Sequence, residues 1–255
     1  QNQKKSNEYF TASLIGVAIL AAIAWMAVIF FDRELLILFG AEETLLPLAQ
    51  RYLLPVKFAV PSFLLTQLLA AFLRNDGNPG LATKAVLFGG IFNVFGDWFF
   101  VFALDMGVMG AGLATVMGSV FSLIIMLTHF FSKKNTLRLE KPAKLFSMLK
   151  SISVTGFSTF FLDVAMGILT MLFNRQILQY LGTDALSVYG IIINISTFVQ
   201  CCAYSIGQES QPIISTNFGA HQGKRIREIL KYALDRKSTR QNSSHIRRSR
   251  MPSSA

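Results

Sequence analysis

Charge is scarce in this chain, cysteine is nearly absent, and histidine never clusters. Asp, Glu, Lys and Arg make up 15% of its 255 residues, against about a quarter in a soluble protein, so a water-facing globule is excluded. The 2 cysteines, Cys201 and Cys202, are adjacent, and the 3 histidines, His129, His221 and His245, are scattered. That spacing excludes a zinc centre and a histidine-based catalytic cluster. No loop holds a nucleophile elbow, a phosphate-binding glycine loop or a paired-carboxylate motif. Enzyme readings are thereby set aside, and an ATP-driven machine would need its motor on another chain.

What the chain has instead is apolar length. Hydrophobic residues make up 52% of it, with 23 phenylalanines, the composition of an all-α polytopic membrane protein. Stretches 9–31, 48–73, 81–104, 107–131, 145–181 and 186–218 each reach the roughly 20 apolar residues that span a bilayer. The last two exceed that need, so they are expected to run on into the cytoplasm or to bend at Gly207 and Pro212. The first stretch is too long for the apolar core of a cleaved signal, although Lys4 and Lys5 precede it.

Orientation follows from the connections, because Lys and Arg stay on the cytoplasmic side. Lys4 and Lys5, then Arg74 and Lys84, then Lys133, Lys134, Arg138, Lys141, Lys144 and Lys150, then Lys224, Arg225, Arg227 and Lys231 mark every second connection. The alternate ones carry Asp32, Arg33, Glu34, Glu42 and Glu43, then Asp105, then Asp184. Both ends of the bundle are therefore expected in the cytoplasm, in a multi-pass protein of the cell inner (plasma) membrane. This bias also accounts for part of the net charge of +10, and no nucleic-acid partner is expected. Much of the rest lies in 235–255, where Arg236, Lys237, Arg240, Arg247, Arg248 and Arg250 face only Asp235. That Ser/Arg-rich tail reads as a non-native read-through outside the fold; a basic tail on anionic lipid is the alternative.

One acid lies deep in an apolar span. Asp97 follows Asn93 by four residues, so Gly89, Asn93 and Asp97 share a face of the third span. Gly107, Ala111 and Thr115 form a stripe on the fourth, with Gly110, Ala114 and Gly118 beside it. Small residues every four positions let membrane helices approach closely. Close approach would gather the Asp97 carboxylate, the Asn93 amide oxygen, the Thr115 hydroxyl and the Ala111 carbonyl around one point. These are hard oxygen ligands suited to Na+ or a shared proton and unsuited to a soft metal. An acid at membrane depth marks an ion or proton path by default; the alternative is that Asn93 and Asp97 only hydrogen-bond neighbouring helices.

Three runs carry a family resemblance. They are Leu73-Arg74-Asn75-Asp76-Gly77-Asn78-Pro79-Gly80, then Phe92-Asn93-Val94-Phe95-Gly96-Asp97, then Gly107-Val108-Met109-Gly110-Ala111-Gly112-Leu113-Ala114-Thr115. In that order they resemble the MATE (multidrug and toxin extrusion) family. Ser205-Ile206-Gly207-Gln208-Glu209-Ser210-Gln211-Pro212-Ile213-Ile214-Ser215-Thr216-Asn217-Phe218-Gly219-Ala220 resembles the segment closing that family's eighth helix. The likeness leans toward the MepA-like branch.

The resemblance implies a two-lobe, twelve-helix transporter of which this chain is an internal fragment, Gln1 standing where an initiator methionine would be. The fragment would supply helices three to eight. Residues 1–131 would be the last four helices of the amino-terminal lobe, 132–144 the cytoplasmic linker, and 145–234 the first two helices of the carboxy-terminal lobe. By position, Asn93 and Asp97 match the family's helix-five cation ligands, Thr115 its helix-six hydroxyl and Ala111 its backbone ligand. The family's further aspartate, from helix one, is not in this sequence.

Other polar groups lie at depth. Asp163 falls on the family's seventh helix, where several branches carry an acid in cation or substrate recognition; a helix-pairing acid is the alternative. Gln67, Tyr189, Asn194, Gln200 and Tyr204 are candidates for a polar cavity or second cation site. Lys57, between Pro55 and Pro61, is expected to snorkel to the outer surface, as is Arg175; the alternative for Lys57 is a helix that the two prolines bend toward a cavity. Glu209 is expected in a solvated cytoplasmic position. Residues 225–234 read as an amphipathic helix with Ile226, Ile229, Leu230 and Leu234 on one side.

The resemblance implies efflux of amphipathic or cationic small molecules by H+ or Na+ antiport, with no cofactor beyond the coupling ion and a monomer at full length. A lipid-linked oligosaccharide or peptidoglycan-precursor flippase of the same superfamily is one alternative, favoured by many intramembrane bases. An integral-membrane transferase is another, but it needs clustered aspartates, and Asp97 and Asp163 stand apart.

Overall fold

Backbone amides at bilayer depth have no water to bond, so long apolar runs must close their hydrogen bonds along helices. A computed structural model of the chain, describing residues 3–41 and 43–232, is helical through all the expected spans. The tail 235–255, Leu234, Glu42, and the side chains of Tyr204 and Glu209 lie outside what it describes.

Helix α1 is Gln3–Phe30, α2 is Asp32–Leu38 and α3 is Leu46–Asn75. The short α2 was expected as loop. Asp32 and Glu34 in its first turn favour a helix there by facing the positive end of its dipole. Helix α3 accepts Pro47 in its first turn and carries Pro55 and Pro61 within. It stops at a Schellman cap: the Asn78 amide donates to the Leu73 carbonyl at 3.0 Å while Gly77 takes φ 75. That left-handed conformation is open to glycine without a Cβ penalty.

Pro79 then opens α4, Pro79–Asp97, which passes at once into a π-helical segment, Trp98–Ala103. Helix α5 is Gly107–Leu127, followed by a 3₁₀ turn, Thr128–Phe131, and an irregular segment leading to α6, Leu145–Gly219. The fifth and sixth expected spans both lie in α6. Its non-helical residue is Gly182, at φ 80 and ψ −176, a break that was not expected, while Gly207 and Pro212 stay within the helix, the first of the two courses expected for this stretch. The fixed φ of a proline near −65° fits a helix at the loss of one N–H, whereas φ 80 breaks one. Residues 223–232 are helical, in keeping with the expected terminal helix.

The chain divides into two compact units, Gln1–Tyr180 and Leu181–Ala255. In the first, α5 packs against both α4 and α3, and α3 against α1. The apolar core lies at one end, where the start of α1 (Phe10), the end of α3 (Leu69, Ala70, Leu73), the start of α4 (Ala82, Ala85) and the end of α5 (Met126) meet Leu137. Large apolar side chains such as Ile23, Phe58, Val94 and Phe102 stay exposed on the outside of the bundle. Among the described residues six helical stretches are long and apolar enough to cross a membrane, and this is a multi-pass membrane protein.

Candidate functional site

The site depends on how closely three helices approach. A Cβ built on Gly118 of α5 would lie 2.7 Å from the Gly89 carbonyl and 3.0 Å from the Asn93 Cβ of α4. One on Gly96 of α4 would lie 3.0 Å from the Ala114 Cβ, and one on Gly112 of α5 would lie 2.9 Å from Pro55 Cγ of α3 and overlap the Tyr52 carbonyl. Along this stripe Ala114 and Gly118 therefore seat α4 and Gly110 seats the π-helical segment at Phe100, while Gly112, on a different side of α5, seats α3. Glycine is needed at these positions for space, and backbone packing at this distance sets the register of the polar groups beside it.

That register places Asn93 across from Thr115. The Thr115 hydroxyl donates to the Ala111 carbonyl at 3.0 Å, and Asn93 Nδ2 donates to Thr115 Oγ1 at 3.4 Å. The Tyr52 hydroxyl of α3 lies 3.3 Å from the same oxygen. A threonine hydroxyl has one hydrogen and two lone pairs. Its hydrogen goes to Ala111, so it accepts from both Asn93 and Tyr52. The amide oxygen of Asn93 has no donor among the described residues.

Asp97 lies one turn further along α4 and is its last residue before the π-helical segment. It is half-buried, and it has no hydrogen-bond or ion-pair partner among the described residues. Three of the four expected ligands, Asn93, Thr115 and Ala111, are therefore joined by hydrogen bonds through Thr115; Asp97 shares the α4 face of Asn93 without bonding to any of them. One turn from Thr115 on α5, the buried Ser119 hydroxyl also has no partner among the described residues. Asn93 and Asp97, one turn apart on α4, thus both carry side-chain oxygen without a donor among the described residues, and such oxygens are hard acceptors.

Tyr52 is the residue that sequence reasoning missed. A tyrosine near the end of a span reads as an interfacial anchor, and only the packing of α3 on Gly112 brings it to Thr115. Lys57 differs from expectation in its partner. Its Nζ lies 3.5 Å from the Asp32 carboxylate, with side-chain exposures of 16% and 29%, so it reaches toward the α1–α3 connection, as a snorkelling lysine would, and finds there an acid partner that was not expected. The start of α2 places Asp32 within its reach.

Gln67 and Asp163, in the first unit, are exposed and bond to nothing among the described residues. In the second unit Tyr189 is half-buried, while Asn194 and Gln200 are exposed. Among the described residues no group of three His, Cys, Asp or Glu side chains is placed to hold a metal.

Comparison with known proteins bears on the whole arrangement. The MatE family model matches residues 1–99. The multidrug export protein MepA of Staphylococcus saprophyticus is 25% identical over 226 residues, covering 87% of this chain and 49% of the relative. MepA of Staphylococcus aureus strain MSSA476 is 25% identical over 238 residues, covering 92% of this chain and 52% of the relative. Among solved structures, the MATE multidrug transporter DinF-BH is similar with a TM-score of 0.84 at 24% identity, over 92% of this chain and 53% of that one. The chain spans about half the length of the curated relatives it matches.

Proposed function

We propose, from the premise that this chain is part of a MATE-family protein, that the intact molecule exports amphipathic or cationic small molecules in exchange for H+ or Na+. The observation that carries the reading is the Asn93–Thr115 hydrogen bond between α4 and α5, one helical turn from an Asp97 carboxylate without a partner among the described residues. Holding an acid at that depth is costly unless it binds something. Asp97 and the Asn93 amide oxygen would take the ion, and Thr115, fixed by Ala111 and Tyr52, would orient Asn93. Further ligands would come from parts of the intact protein outside this sequence.

Coupling requires the ion to bind one state of the protein more tightly than the other. Two lobes rocking between inward and outward openings supply those states. On this reading 1–131 belongs to one lobe, 145–234 to the other and 132–144 joins them on the cytoplasmic side of the inner membrane, with both ends of this segment cytoplasmic and the intact protein monomeric. Export is favoured over flipping of an anionic lipid-linked precursor because Lys57 is already paired with Asp32. That pairing removes one of the few intramembrane bases able to receive a diphosphate.

The test is Asp97→Asn in the full-length protein. Efflux of a cationic dye such as ethidium should fall to the level of cells lacking the transporter, at equal membrane abundance. Undiminished efflux would refute the assignment.

A further inference from the structure

Segment 132–140 follows the 3₁₀ turn and has no helix or strand of its own, so its backbone amides must find other partners. Those of Lys134, Asn135 and Leu137 find them within the segment, on Ser132 and Asn135, and those of Thr136, Arg138 and Glu140 find them on α1 and at the end of α3. The Thr136 amide donates to Asp76 Oδ2 at 3.0 Å, the Arg138 amide to Asn7 Oδ1 at 3.3 Å, and the Glu140 amide to Thr11 Oγ1 at 3.0 Å. Gln3 Nε2 donates back to the Thr136 carbonyl at 3.2 Å and to its hydroxyl at 2.9 Å.

The spacing is a match between two periods. Gln3, Asn7 and Thr11 recur every four residues along α1, a rise of about 6 Å per step. Residues 136, 138 and 140 recur every two along an extended chain, a rise of about 6.6 Å per step. Running in the same direction, the two rows stay in register over all three pairs. Between them the Leu137 side chain, 5% exposed, turns into the apolar core with Phe10 and Leu73. Asn7 is itself 2% exposed, which is costly for an amide unless its bonds are met.

Asp76 pins the other end. Its Oδ1 accepts from the Thr136 hydroxyl, and its Oδ2 accepts from His129 Nε2 at 2.7 Å. Asn78 Nδ2 donates to His129 Nδ1 at 3.1 Å, so the fully buried imidazole accepts at one nitrogen and donates at the other. The α3–α4 connection, the end of α5 and the segment are thus tied at one carboxylate. Beyond Glu140 the contact with α1 is apolar, Leu149 against Gly16, a surface that can slide without losing a hydrogen bond.

We propose that 132–140 is a fixed strap of the α1–α5 bundle, keyed to Gln3, Asn7 and Thr11 and pinned by Asp76, so that lobe movement is taken up by 141–144. Its functional half rests on the two-lobe reading; its structural half does not.

Hydrogen exchange on the purified full-length protein tests the structural half. The amides of Thr136, Arg138 and Glu140 should exchange at least about tenfold more slowly than those of Lys141, Ala143 and Lys144. Asp76→Ala should speed Thr136 and spare Glu140, and Thr11→Val should do the reverse. Equal exchange across 136–144 in the unmodified protein would overturn the strap. For the functional half, Thr11→Cys and Glu140→Cys in a cysteine-free background should cross-link without loss of ethidium efflux. Efflux lost on cross-linking and regained on reduction would overturn the assignment of motion to 141–144. Absence of efflux before cross-linking would count against the transport reading alone, leaving exchange to decide the strap.

Discussion

The Tyr52 hydroxyl on α3 and the Thr115 hydroxyl on α5 lie 3.3 Å apart, although 63 residues separate them in the chain. Through that contact α3 takes part in positioning Asn93, which Thr115 holds from the other side. The site is therefore a three-helix structure, and its geometry depends on α3 staying seated against Gly112.

Substitution at either hydroxyl should weaken ion coupling by different amounts. Tyr52→Phe removes one hydrogen bond of about 1 kcal/mol, close to a fivefold loss. Thr115→Val leaves both Asn93 Nδ2 and Tyr52 without their acceptor, at about 1–3 kcal/mol, so the loss should be larger. The measurement is the H+ or Na+ concentration giving half-maximal efflux in the full-length protein. Equal values for all three forms would exclude Thr115 from the ion site.

Close packing of α4 on α5 gives a second expectation. A Cβ at Gly89 would lie 2.6 Å from the Gly118 carbonyl and overlap the Ser122 hydroxyl, while one at neighbouring Gly90 meets nothing within 4 Å. Gly89→Ala should therefore cost about 1–3 kcal/mol by forcing the helices apart. Gly90→Ala should be neutral or stabilising by up to about 1 kcal/mol, the helix-propensity gain. Thermal unfolding of the detergent-purified protein separates them; similar melting temperatures would show that α4 and α5 are not packed at this distance.

The parts of this fold that were readable in advance are those set by local periodicity. Apolar length marked the spans, and four-residue spacing put Asn93 and Asp97 on one face and Ala111 and Thr115 on another. The pairing of those two faces followed from small residues, since only glycine and alanine allow it. Tyr52 and Lys57 were not readable as partners of Thr115 and Asp32, because each pairing depends on where α3 settles after α2 has turned the chain. The π-helical turn after Asp97 has no residue signature. Gln3, Asn7 and Thr11 do form a visible polar stripe at helical spacing. Its meaning emerges only when an extended segment with nearly the same rise is laid along it.

Acid should loosen the strap in a defined pH range. Burial alone would raise the Asp76 carboxyl, but hydrogen bonds from the Thr136 side chain, His129 and the Thr136 amide outweigh it and hold the group below its ordinary 3.8. A carboxyl lowered on folding stabilises the folded state above its unfolded value and loses that contribution as pH falls through the folded value. Stability from this group should thus be constant across neutral pH and decline only below about 4. Asp76→Asn keeps the shape but cannot ionise. Its melting temperature in detergent should lie below that of the unmodified protein at pH 7, and the gap should narrow as pH falls below about 4. A gap that stayed constant over that range would mean the Asp76 charge plays no part in holding Thr136 and His129.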